Sequence, residues 1–92
     1  MTFPFKLYKI SGHSMSPLLL PSTLVLVNLW QRSPKIGDIA AVIKDGETQI
    51  KRITEKQGDY YTIRGDNIKD SLDSRSFGMV HKSKILGTVI LY

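Results

Sequence analysis

Gly37-Asp38-Ile39-Ala40-Ala41-Val42-Ile43-Lys44-Asp45-Gly46-Glu47-Thr48-Gln49-Ile50-Lys51-Arg52-Ile53-Thr54 reads as two extended runs joined by a tight turn. Asp45-Gly46 is a strong hairpin signal, and the runs Asp38 to Lys44 and Thr48 to Thr54 on either side of it are β-formers bounded by turn residues. Side chains alternate across a strand, so Lys51 falls on the face of Ile53 and opposite to Ile50 and Arg52. One of two neighbouring cations thus shares an apolar face and is expected to be partly desolvated.

Working outward, Phe5 to Ile10, Thr23 to Asn28, Tyr60 to Arg64 and Ile85 to Tyr92 carry the same β-rich composition between Gly, Pro, Asn or Asp residues. No window keeps apolar residues at helical spacing for ten or more residues. The expected fold is mostly β, a small coiled antiparallel sheet or partly open barrel with little helix. The chain has no repeat and no linker longer than a turn, so residues 1–92 are read as one domain.

With 92 residues the chain buries only about 60% of its unfolded surface, which leaves no room for a Rossmann-sized cofactor fold. The absence of cysteine excludes a disulfide framework, a thiolate nucleophile and Cys-containing metal sites, and two histidines, His13 and His81, are too few for an all-His cage. No metal and no cofactor are expected. The longest apolar stretch, Leu18 to Trp30, is broken by Pro21, Ser22, Thr23 and Asn28, well short of a membrane span. The first ten residues lack the pattern of a secretory signal, so the expected location is cytoplasmic. Leu18-Leu19-Leu20 and Leu29-Trp30 leave peripheral membrane contact open beside a core role. The net charge is +5, but Lys51-Arg52 is the only adjacent basic pair, so the excess reads as a solvated surface and no nucleic-acid partner is expected.

Three segments carry the chemistry: Ser11-Gly12-His13-Ser14-Met15-Ser16-Pro17, Lys51-Arg52-Ile53, and Gly65-Asp66-Asn67-Ile68-Lys69-Asp70-Ser71-Leu72-Asp73-Ser74-Arg75-Ser76-Phe77-Gly78. Each alone has a plain reading: a turn ending in proline, a snorkelling surface lysine, and a series of side-chain-capped turns. In this order they resemble type I signal peptidases, with a nucleophile in a G-x-S-M-x-P segment, a basic Lys in a strand K-R pair and a late G-D-N-x-x-x-S-x-D-S-R-x-x-G box. Gly37-Asp38-Ile39 matches a further G-D pair that opens a strand, so the resemblance runs from Ile10 to Val89.

The chemistry asks for these residue types in its own right, because a serine hydroxyl is a poor nucleophile unless a neighbouring base removes its proton. Lys51 is the credible base for Ser14; His13 is adjacent to Ser14 on the chain and reads as a loop residue. A lysine of ordinary pKa, about 10.4, is almost wholly protonated at pH 7, and making it a useful base means disfavouring its charge by roughly 4 kcal/mol. Burial beside Ile53, Met15 and Phe77 is the expected source of that effect.

The resemblance implies that Ser71 orients the Lys51 amine and that Asp73 pairs with Arg52 or Arg75; an ordinary surface ion pair is the plain reading of Asp73 and Arg75. The backbone N–H of Ser14 is a candidate oxyanion donor, since Gly12 lets the chain bend just before it. Some signal peptidases carry a serine as a second donor where this chain has Gly12. The resemblance further implies a precursor protein or peptide bound in extended form along a strand edge, its small side chains read by pockets at Ile10, Met15, Leu19 and Ile50. Core is the equal alternative for those four. Oligomeric state is left open.

Thirteen residues separate Lys51 from Gly65, so the second β domain of larger signal peptidases is missing. That layout looks most like the short nickel-type superoxide dismutase maturation proteases, which implies removal of a leader peptide. A soluble processing protease for another precursor fits as well. Self-cleaving repressors share the serine and lysine but lack the Asp-Ser-Arg box. A basic β-barrel stacking nucleic acid on Trp30, Tyr60, Tyr61 and Phe77 is the reading from a different class.

Overall fold

The computed structural model describes residues 4–67 and 77–92. The hairpin forms where the sequence places it: β3 (Ile39–Lys44) and β4 (Glu47–Gln57) run antiparallel, with Ala40 opposite Lys51 and Lys44 opposite Glu47. Asp45 and Gly46 have φ of 54° and 78°, and two left-handed central residues are what a two-residue turn needs to match the twist of its strands. Around the hairpin lie β1 (Phe5–Lys9), β2 (Leu24–Asn28), β5 (Tyr60–Arg64), β6 (Phe77–His81) and β7 (Ile85–Leu91). They form one antiparallel sheet in the order β1-β2-β7-β3-β4-β5-β6, curled into a half-barrel.

The curl has a local cause. Register shifts interrupt the β2–β7 ladder at Leu26/Val27, the β3–β7 ladder at Ala41/Val42 and the β4–β5 ladder at Ile53/Glu55. Each extra residue bends and twists its strand. β3 is consequently covered on both sides. Ile39 and Ala41 join Ile10, Met15, Leu19, Val25 and Val27 in one buried cluster, while Ala40 and Val42 join Ile53, Tyr61, Ile63, Val80 and Ile85 in another. A strand buried on both faces reads as a continuous apolar run, as Ile39-Ala40-Ala41-Val42-Ile43 does.

The six anticipated strands all appear, with two departures. β4 continues three residues past Thr54 to Gln57, carried by pairing with β5. β6 was not anticipated, and neither was the 3₁₀ turn Lys82–Lys84 that joins it to β7. Tyr61 is buried in the second cluster and so offers no stacking surface, whereas Trp30 and Tyr60 are exposed. Leu19 is core while Leu18 and Leu20 face outward. No helix among the described residues is long and apolar enough to cross a membrane.

Ile53 is wholly buried and Ile90 is exposed. Ile53→Ala is expected to lower unfolding free energy by about 3 kcal/mol, and Ile90→Ala by no more than about 0.5 kcal/mol, measured by urea denaturation.

Candidate active site

Ser14 sits in the loop between β1 and β2, and the loop is pinned at three levels. At its base the Ile10 amide donates to the Thr23 carbonyl and the Ser22 amide to the Ile10 carbonyl, both at 2.8 Å. In its middle Met15 and Leu19, each 1% exposed, anchor it in the first cluster, and the Leu19 amide donates to the Met15 carbonyl at 2.9 Å. That bond closes a turn from which Pro17 and Leu18 face outward. At its outer side the Asn67 amide donates to the Ser14 carbonyl and Asn67 Nδ2 to the His13 carbonyl, each at 2.8 Å. Gly12, at φ 79°, lets the backbone reverse two residues before Ser14.

Gly65, at the end of β5, packs on Ser14 so closely that a Cβ there would lie 2.5 Å from the Ser14 carbonyl oxygen. Only a glycine admits that approach. Gly65, Asp66 and Asn67 open the third motif segment, and they hold the first.

They are held in turn by the second. Arg52 Nε and Nη2 donate to the two carboxylate oxygens of Asp66 at 3.0 and 2.7 Å, and Nη1 donates to the Gly37 carbonyl at 2.7 Å. This two-pronged arrangement is the strong form of an ion pair, and both side chains are mostly shielded from solvent. Hydrogen bonding to Asp66 holds the Arg52 guanidinium above the usual arginine range against the opposing effect of burial. The guanidinium therefore keeps its charge through neutral pH, and the pair does not weaken there. Among the described residues the carboxylate on Arg52 is Asp66. Ser71, Asp73 and Arg75, to which the resemblance gave supporting roles, lie outside the described residues.

Lys51 is 5% exposed and stands across the ladder from the fully buried Ala40, on the face of Ile53. The alternation read from the sequence is correct here, and the desolvation is nearly complete. Lys51 and Ser14 line a common cavity of about 240 Å³, together with Lys9, Ile10, Ser11, Met15 and the β4 residues Glu47 to Ile50. Pairing of β5 with β4 begins at Arg52, so on that side Glu47 to Lys51 face no strand among the described residues. The cavity runs along that open edge.

Of the four residues expected to form side-chain pockets, Ile10, Met15 and Ile50 line the cavity and also pack in the first cluster. Leu19 lies only in the core. Asn67 was quoted in the motif without a role and emerges as the clamp on the Ser14 loop; only the contact map could reveal it. Among the described residues no group of three His, Asp or Glu side chains could hold a metal ion.

Asp66→Ala and Arg52→Ala are each expected to destabilise the fold by about 1–3 kcal/mol, and the double variant by much less than their sum. Arg52→Lys should recover little, because an ammonium cannot reproduce the fork. Urea denaturation of the four proteins measures the coupling.

No curated protein matches the chain at a significant level. A family model described as Peptidase S24-like matches residues 4–90, nearly the whole length. This match supports a signal-peptidase/LexA-like fold and a serine-peptidase type of function in general. With its half-barrel, its pinned serine loop and this match, the chain belongs to the Peptidase S24-like family.

Proposed function

We propose that the protein is a serine endopeptidase in which Ser14 is the nucleophile and Lys51 its general base, and that it removes a leader peptide from a precursor, specifically that of a nickel-type superoxide dismutase. The observation that carries the reading is a buried lysine and a serine on the wall of one cavity, beside an open strand edge. An ammonium in apolar surroundings loses its hydration, so burial favours the neutral amine that can accept a proton.

In the proposed reaction an extended peptide pairs with β4 along Glu47 to Lys51, which aligns its backbone without demanding a particular sequence. Lys51 Nζ takes the proton of Ser14 Oγ as that oxygen attacks the scissile carbonyl carbon. The tetrahedral oxyanion is met by the Ser14 backbone N–H. Collapse expels the amine, which leaves with the proton from Lys51, and an acyl-enzyme remains on Ser14. Water, deprotonated by Lys51, then attacks the ester carbonyl, and Ser14 Oγ leaves with that proton from Lys51 as the carboxylic acid product is released. Gly65 and Asn67 act here as positioning residues, since they fix the backbone on which the serine is carried. By the resemblance, Ser71 orients the amine and Asp73 and Arg75 support it.

The choice of precursor rests on the short segment between Lys51 and Gly65. A cytoplasmic location and the absence of a nucleic-acid partner belong to the same proposal. The burial of Tyr61 weakens the stacking alternative, since one of its four platforms is in the core.

The test is cleavage of a nickel superoxide dismutase proform by the wild type, Ser14→Ala and Lys51→Ala between pH 6 and 10. The expected result is loss of at least about 10³-fold in kcat/KM in both variants. The wild-type rate should rise with pH through a depressed lysine pKa, because the neutral amine is the active form. Normal cutting by Lys51→Ala contradicts the dyad. An intact proform with other precursors cut removes the branch assignment and keeps the chemistry.

A further inference from the structure

The cavity extends past the proposed dyad to a charged residue that the proposed chemistry does not use. Glu47 opens β4 four residues before Lys51, and an even spacing on a strand puts the two on one face, about 13 Å apart at the rise of a strand. Glu47 is exposed, and it lines the same cavity. Across the β3–β4 ladder it stands opposite Lys44, yet the Lys44 amine reaches to β6, where it lies so close to Gly78 that a Cβ there would collide with it. Among the described residues Glu47 forms no ion pair. The other charged residues on the cavity wall, Lys9 and Lys51, are both basic. Among the described residues the wall thus carries a single carboxylate, unpaired and open to solvent.

Resting on the reading of the cavity as the bed of an extended peptide, we propose that Glu47 selects a substrate with a basic residue, Lys or Arg, about four positions from the residue that lies opposite Lys51. A peptide paired with β4 advances at the pitch of the strand, so the side chains directly across from Glu47 and Lys51 are separated by the same number of residues. A cation set across from Glu47 gains a partner of opposite charge, whereas a carboxylate there meets its like and is disfavoured. The place is open to a peptide, since pairing of β5 with β4 begins only at Arg52 and Glu47 lies on the unpaired stretch before it among the described residues. The pocket residues Ile10, Met15 and Ile50 are apolar and express no charge preference, so the selection by Glu47 is separable from theirs. An ion pair in contact with water corresponds to about threefold in affinity at low salt and to less at high salt.

The probe is a decapeptide library in which each position in turn holds Lys, norleucine or Glu, bound to the full 92-residue Ser14→Ala protein so that no peptide is consumed. At one position, in about 20 mM salt, the Lys peptides should bind about threefold more tightly than the norleucine peptides and the Glu peptides less tightly, and the difference should fade by about 0.5 M salt. Adding Glu47→Gln should abolish the preference, and adding Glu47→Lys should turn it toward Glu; Glu47 is exposed, so neither exchange disturbs the core. Glu55→Gln changes the net charge equally but sits on β4 outside the cavity, and it should leave the preference intact. Equal affinity at every position, a Lys preference that survives Glu47→Gln, an equal loss in Glu55→Gln, or no binding of any peptide overturns the proposal. Cleavage of the same peptides by the wild type is read separately. Lys-selective binding without cleavage sinks the peptidase reading and keeps the subsite, and cleavage without selectivity does the reverse.

Discussion

The pair between Arg52 and Asp66 is the contact on which the arrangement of the site depends. Arg52 is the immediate neighbour of the buried Lys51, and Asp66 is the immediate neighbour of Asn67, which holds the Ser14 loop by two hydrogen bonds. Two adjacent residues on one side and two on the other thus connect the lysine strand to the serine loop through a single two-pronged contact. The third guanidinium nitrogen extends the tie to the Gly37 carbonyl at the start of β3. Strand alternation gives the outward Arg52 the structural role and the inward Lys51 the desolvated one.

A sheet of this size has little core to spend on a buried cation. The structure meets the difficulty by placing Lys51 at the border of its two apolar clusters, where Ala40 supplies a small neighbour and the open edge of β4 supplies the cavity. The half-barrel curl, produced by three register shifts, brings the end of β1 and the loop after it against β4, although β1 lies four places away in the sheet. Without those bulges the serine loop and the lysine strand would lie far apart on a flatter sheet.

Much of this was legible in the sequence, for identifiable reasons. The β3–β4 hairpin announces itself through Asp45-Gly46, and the inward face of Lys51 follows from a two-residue period that no tertiary contact can shift by half a step. β6 escaped because Phe77-Gly78-Met79-Val80-His81 has apolar residues on both faces and a glycine within it, with Val80 buried but Met79 exposed. The far half of β4, Glu55-Lys56-Gln57, has no apolar alternation and is a strand only because β5 pairs with it. The Asp66 contact of Arg52 escaped for another reason. The late segment offers several carboxylates, and no sequence rule chooses Asp66 among them once the chain between is free to turn.

The central claim is that burial makes Lys51 a base, and a titration of its side chain tests this without any assumption about substrate. With lysine labelled with ¹³C at Cε and Lys51 assigned through Lys51→Ala, the account predicts a resonance that titrates below those of the exposed lysines. A Lys51 resonance that moves together with those of Lys6 and Lys84 would contradict it.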